Sequence, residues 1–212
     1  MAEKKSPQIP EVILFFGTFN PMHVGHLCLC NFVAETHPDA EVWIVLTGDS
    51  PFKQDMTKLP VDLRAEWIRH LLNDYPPLRL CLDELTLPHP HYTYRTLSYF
   101  AQRYPEKKFT LLIGMDSLID LPTWKEGKTL IHYPSILVYP RPGYDMPEWA
   151  NDLPNVRLVD APTMEISSTR IRLMIREGMH VPYFLHTTLH DSIYLSLCNA
   201  IAALPAENAD CK

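Results

Sequence analysis

The chain has 212 residues, 46 % of them hydrophobic, with 19 lysines and arginines against 25 aspartates and glutamates, a formal net charge of −6. That length suits one domain, or one domain with a small appendix, and the apolar fraction supports a packed core rather than disorder. The acidic balance argues against a protein that wraps nucleic acid, and no run of about 18 apolar residues is available to span a membrane.

The first ten residues, MAEKKSPQIP, read as a polar tail without the apolar segment of a secretory signal. A cytoplasmic protein with small-molecule partners is therefore expected. The cysteines, at 28, 30, 81, 198 and 211, are odd in number and lack C-x-x-C spacing, so they read as small buried residues rather than a disulfide set or a zinc site. The last residues, PAENADCK (205–212), read as a second tail. Residues 11–204 then form a single domain, with a helical C-terminal part from about 169 to 204.

Short β-type runs recur along the chain: VILFF (12–16), VWIVL (42–46), LRLCL (78–82), FTLLIG (109–114), SILVY (135–139) and VRLV (156–159). Helical patterns fill most of the gaps. VDLRAEWIRHLLND (61–74) sets Leu63, Trp67, Ile68, Leu71 and Leu72 three and four apart, and TYRTLSYFAQRY (93–104) does the same with Tyr94, Leu97, Phe100 and Ala101. Strands without strong alternation, separated by helices, predict an α/β fold: a Rossmann-like parallel sheet with helices on both faces and further helices appended at the C-terminus. Prolines at 76–77, 88–90, 134–147 and 154–162 read as rigid connectors.

The stretch FGTFNPMHVGHL (16–27) lies directly after the first strand, where parallel sheets bind ligands. Pro21 suits a loop or first helical turn. A helix starting near Met22 or His23 would aim its unpaired amides at the loop, a ready anion site. His23 and His26, three apart, share one face of that helix. Gly25 between them leaves space, and Gly17 allows a sharp turn or a close amide. Two other readings stay open for the histidines: ordinary capping or packing, and a pair of metal ligands. The second lacks the glutamate of H-E-x-x-H and any local third ligand. Neither G-x-G-x-x-G nor G-x-x-x-x-G-K-[ST] is present, which removes the main support for hydride transfer and for a P-loop.

Far along the chain, EISSTRIRLMIREG (165–178) offers Ser167, Ser168 and Thr169 to open a helix, with Ile171, Met174 and Ile175 as its apolar face. Arg172, in the first turn, leans toward the helix start and can reach an anion held there. Alone, this stretch would pass for a capped surface helix.

GTFNPMHVGH resembles the G-x-F-[DN]-P-x-H-x-G-H signature of the nucleotidyltransferase superfamily, which includes small-molecule adenylyl- and cytidylyltransferases. Class I aminoacyl-tRNA synthetases share its shorter H-x-G-H form. ISSTRIR resembles the superfamily's I-S-S-T-x-I-R element, which holds the ATP phosphates. SPFKQ (50–54), PHPHYTYRTL (88–97), LIGMDSLIDLPTWKEGKTLI (112–131) and YPRPG (139–143) resemble, in consistent order, segments of the bacterial nicotinate-nucleotide adenylyltransferases.

The resemblance implies adenylyl transfer from ATP to nicotinate mononucleotide, giving deamido-NAD and pyrophosphate, with Mg²⁺ carried by the phosphates rather than by protein side chains. His23 and His26 would be the catalytic pair, hydrogen-bonded to the triphosphate oxygens that gain charge in the transition state, and Gly17, Thr18, Phe19, Gly25, Ser167, Ser168, Thr169 and Arg172 would bind the ATP phosphates. Gly114 and Asp116 would lie at the nucleotide ribose. Lys53 would contact substrate phosphate, the Thr93 backbone the pyridine carboxylate, and Trp124 the nicotinate ring, although the residues alone favour Trp124 as a core anchor. Two positions depart from the pattern: His91 stands where serine is usual, and Arg95 where aspartate is usual. The rival readings are transfer to another phosphorylated small molecule, such as nicotinamide mononucleotide or phosphopantetheine, and a catalytically silent nucleotide-binding regulator.

Overall fold

The computed structural model describes residues 10–48, 58–133 and 135–205. The six predicted runs form β1 (Glu11–Gly17), β2 (Ala40–Leu46), β3 (Leu78–Cys81), β4 (Lys108–Gly114), β5 (Ile136–Tyr139) and β6 (Val156–Leu158). They make one sheet in the order β3-β2-β1-β4-β5-β6, every neighbouring pair parallel. The helices are α1 (Val24–Thr36), α2 (Val61–Leu72), α3 (Thr93–Arg103), α4 (Met115–Asp120), α5 (Gly127–Leu130), α6 (Ser168–Arg176) and α7 (Ser192–Ala203).

Alternation along the strands sorts the core into two layers. Ile13 and Phe15 of β1 and Val42, Ile44 and Leu46 of β2 face α1, α2, α6 and α7. Val12, Leu14, Trp43 and Val45 face the opposite layer, built on Leu97 and Phe100 of α3 and Leu118 of α4. Burial on both faces explains why these strands read as continuous apolar runs. In α2, Trp67, Ile68 and Leu72 of the predicted stripe are buried, while Leu63 and Leu71 pack at its margin. The helix also buries Arg64, a charge the apolar pattern did not anticipate.

From β1 the chain moves outward to β2 and β3, then returns to β4 on the other side of β1. The loops leaving β1 and β4 therefore diverge, and a crevice opens between them at the carboxyl ends of the strands. α6 and α7 pack beside that crevice on the α1 side, through Ile171, Ile175, Leu197 and Ile201.

Among the described cysteines, Cys30 and Cys81 are buried as expected, but Cys28 is exposed on α1 and Cys198 only half-buried; all four are free thiols. The differences arise where each residue meets its helix face, which the count and spacing of cysteines do not reveal. Among the described residues no helix is long and apolar enough to cross a membrane.

Candidate active site

The chain leaves β1 at Gly17 and makes a tight excursion before α1. Phe19 takes a left-handed conformation (φ 45°), the Asn20–Pro21 peptide is cis, and His23 is extended as the N-cap of α1. Neighbouring elements hold this loop by its carbonyls. The buried Arg64 donates from Nη1 to Thr18 O (2.6 Å) and Thr47 O (2.9 Å), and from Nε to Leu59 O (3.0 Å). Trp67 Nε1 donates to Met22 O at 3.0 Å, and Leu59 N donates to Asn20 Oδ1 at 2.8 Å. A single arginine thus fastens the exits of β1 and β2 together, so the loop is preformed.

His23 and His26 stand 3.8 Å apart between ring centres, tilted by 32°. The His23 backbone N–H donates to His26 Nδ1 at 3.2 Å. Nδ1 of His26 is therefore an acceptor, and the neutral ring carries its proton on Nε2. The ring is braced at its edges by Phe19 and Phe15. His23 is 4 % exposed, and its Nδ1 is buried without a hydrogen-bond partner. Burial first, and the positive charge of Arg141 second, lower its pKa to about 4, so at neutral pH it is a neutral imidazole.

The two glycines serve packing at least as much as ligand space. A Cβ at Gly25 would lie 2.6 Å from Ile166 Cγ2, and one at Gly17 would lie 2.7 Å from the Phe19 ring. Gly25 is thus what allows the chain before α6 to approach the start of α1.

That approach joins the two sequence motifs directly. Ser168 Oγ donates to Pro21 O at 2.8 Å across 147 residues, and Arg172 Nη1 donates to Asn20 O at 2.6 Å. Ser167 caps α6, its Oγ accepting from Arg170 N at 3.2 Å, and Thr169 Oγ1 accepts from Arg172 Nη2 at 3.2 Å. The sequence suggests that these groups converge on an anion; in the structure each also holds the protein together, and Arg172 is 1 % exposed.

Around this junction lies a cavity of about 390 Å³. Of the residues singled out in the sequence, Gly17, Thr18, Phe19, His23, Gly25, His26, Asp116, Ser167, Ser168, Thr169 and Arg172 line it. A smaller recess of about 70 Å³ shares Phe15, Phe16, Ser117 and Tyr139 with the cavity, and Thr93, Gly114 and Trp124 line it. Trp124 is half-buried, at once a packing residue and a wall of the recess. Thr93 is the first residue of α3, where backbone amides have no helical acceptor. Lys53 lies outside the described residues.

Sequence reasoning assigns no site role to Arg64, nor to Asn20, Tyr139 and Arg141, although these three stand within the GTFNPMHVGH and YPRPG segments. Tyr139 OH accepts from Arg141 Nη2 at 3.0 Å, and Arg141 Nε faces Asp116 Oδ1 at 3.7 Å. Their position was the available signal, since both lie at the carboxyl end of β5. The departures His91 and Arg95 are engaged locally. Arg95 Nη1 donates to Pro88 O at 2.9 Å and lies over the Tyr92 ring, and His91 is buried with Nε2 3.3 Å from Leu87 O. Arg95 thus closes the loop that precedes α3.

Residues 14–174 match the family model described as cytidylyltransferase-like. A probable nicotinate-nucleotide adenylyltransferase of Bacteroides fragilis is 39 % identical over 85 % of this chain and 89 % of its own length. One of Bacteroides thetaiotaomicron is 40 % identical over the same shares. Among solved structures, Plasmodium falciparum nicotinic acid mononucleotide adenylyltransferase complexed with NaAD aligns with a TM-score of 0.71 at 17 % identity, covering 90 % of this chain and 94 % of that one. At that identity the structural likeness speaks for the fold alone.

Proposed function

Because the chain belongs to the nicotinate-nucleotide adenylyltransferase family, we propose that it transfers AMP from ATP to nicotinate mononucleotide, yielding deamido-NAD and pyrophosphate. The observation that carries this reading is the pairing of two compartments. A polar cavity holds both motifs, and an adjoining recess is walled by Trp124 and the start of α3. The first suits a triphosphate. The second suits a flat ring bearing a carboxylate, with the first-turn amides of α3 as donors.

A phosphate oxygen of the mononucleotide attacks the α-phosphorus of ATP, a new P–O bond forms, and the bond to the β-phosphate breaks as pyrophosphate leaves. The nucleophile is already anionic near neutral pH, so the protein need not supply a base. The chain's contribution is alignment and charge stabilisation. His26 donates through Nε2–H to phosphate oxygens, the orphan amides at the start of α1 add further donors, and His23, held neutral, supplies a compact polar wall.

Magnesium carried by the nucleotide phosphates would supply further charge neutralisation. The cavity's donors are mostly imidazole, hydroxyl and amide, and Asp116, its carboxylate among the described residues, already faces Arg141. That donor set fits a metal held by phosphate oxygens and water better than a protein cage.

The test is to supply ATP and magnesium with nicotinate mononucleotide, its amide, or phosphopantetheine, and to measure pyrophosphate and the coupled product. Fastest turnover is expected with the nicotinate compound. Preference for another acceptor, or no product from any, overturns the assignment.

A further inference from the structure

Two arginines among the described residues line the cavity, and their surroundings give them different work. Arg172 is buried, with Nη1 on the Asn20 carbonyl and Nη2 on Thr169. Arg141 begins the turn after β5, closed by the Arg141–Tyr144 bridge, and its side chain is 40 % exposed. Its guanidinium lies 5.1 Å over the Tyr139 ring, and Nη2 donates to the Tyr139 hydroxyl. Burial pushes that phenol's pKa upward, so it stays protonated.

On the inner side, Arg141 Nε and Asp116 Oδ1 face each other at 3.7 Å, too far for a hydrogen bond, and both atoms are buried without a partner. The Nε edge of the guanidinium is therefore shielded and Nη2 is held by the Tyr139 hydroxyl, while the side chain lines the cavity. Asp116 does not cancel its charge, for two reasons. The pair is partly exposed and weakly coupled, and the positive field of Arg141 still reaches His23. An arginine seated in this way offers a planar edge suited to phosphate oxygens.

We propose, on the adenylyl-transfer reading, that Arg141 is a substrate-contacting residue. Its cavity-facing edge donates to the triphosphate of the nucleotide from the β5 side, while Arg172 is a positioning residue that ties the two motifs together. Because the Tyr139 hydroxyl holds the guanidinium beforehand, little reorganisation is needed as charge builds toward the leaving pyrophosphate.

The test uses Arg141→Gln, Arg141→Lys and Tyr139→Phe in the full chain. ATP and mononucleotide are varied separately in steady-state kinetics, and ATP and inorganic tripolyphosphate are titrated calorimetrically without mononucleotide. Arg141→Gln is expected to lower kcat/KM for ATP by about a hundredfold and to weaken tripolyphosphate by about tenfold, with an unchanged melting midpoint. Arg141→Lys should recover part of the loss, and Tyr139→Phe should show a smaller loss in the same direction. Unchanged ATP and tripolyphosphate binding in Arg141→Gln, or a loss confined to the KM for mononucleotide, overturns the assignment. If the wild-type chain binds ATP but forms no dinucleotide, the adenylyl-transfer reading fails, and the role of Arg141 is decided by the two binding titrations alone.

Discussion

The β1–α1 junction and the start of α6 carry equally polar motifs, yet they use their side chains in opposite ways. At the first, His26 accepts the His23 amide on Nδ1, so the neutral ring carries its proton on Nε2. At the second, Ser167 caps its own helix, Ser168 donates to Pro21 O, and Arg172 donates to Asn20 O. The first junction is held by groups outside itself, chiefly Arg64 and Trp67, so neither imidazole is needed to fasten the loop to α2. The second does the holding. A motif's residue types therefore do not fix which of its donors face substrate; the donors already satisfied within the protein decide that.

The sharpest way to break this contrast is to remove one side chain from each junction. His26→Ala is expected to lower turnover by about two orders of magnitude or more while the melting midpoint barely moves; near-normal turnover would show that the His26 imidazole is not part of the chemistry. Arg172→Met should behave in reverse. It keeps the apolar bulk but leaves the Asn20 carbonyl buried without its charged donor, a loss of about 2–3 kcal/mol of folding stability in chemical denaturation. If Arg172→Met retains full stability and loses only ATP affinity, the guanidinium serves the ligand and not the latch.

The contrast also marks how far the sequence could be read. All six strands follow from short apolar runs, and the helices over 61–72 and 93–103 from apolar residues three and four apart, because burial on two faces leaves a run and burial on one helix face leaves a period. The cavity is legible too, since strand-to-helix junctions in a parallel sheet meet at one end. Arg64 is not legible: it sits inside an amphipathic stripe, and only the three-dimensional meeting of two strand exits gives it carbonyls to bind. From the sequence Gly25 makes room for a ligand, whereas the atom nearest to its missing side chain belongs to Ile166, 141 positions away in sequence. Arg141 escaped for a related reason. Its neighbour Asp116 lies in the first turn of α4, after the adjacent strand β4, and no local spacing announces that meeting.

The most gradual expected effect concerns His23, the histidine that the junction buries rather than presents. Its pKa is about 4 in the folded chain, against an ordinary value of 6.5. Between those values the unfolded chain binds a proton that the folded chain does not, so stability rises with pH across the window. The contribution is complete above pH 6.5 and is lost as pH falls toward 4, with about 1 kcal/mol gone between pH 6.5 and 5.5. Denaturation curves of the ligand-free protein at a series of pH values should show this slope, and His23→Gln should remove its share. Burial is the larger cause and Arg141 the smaller, so Arg141→Gln should shift the window only slightly upward. Bound triphosphate, with its negative charge beside the ring, should raise the His23 pKa, and ATP binding should therefore take up protons in weakly acidic buffer. A His23 resonance that titrates near 6.5 without ligand would mean that the ring meets water freely, and the division between a presented and a buried histidine would fall.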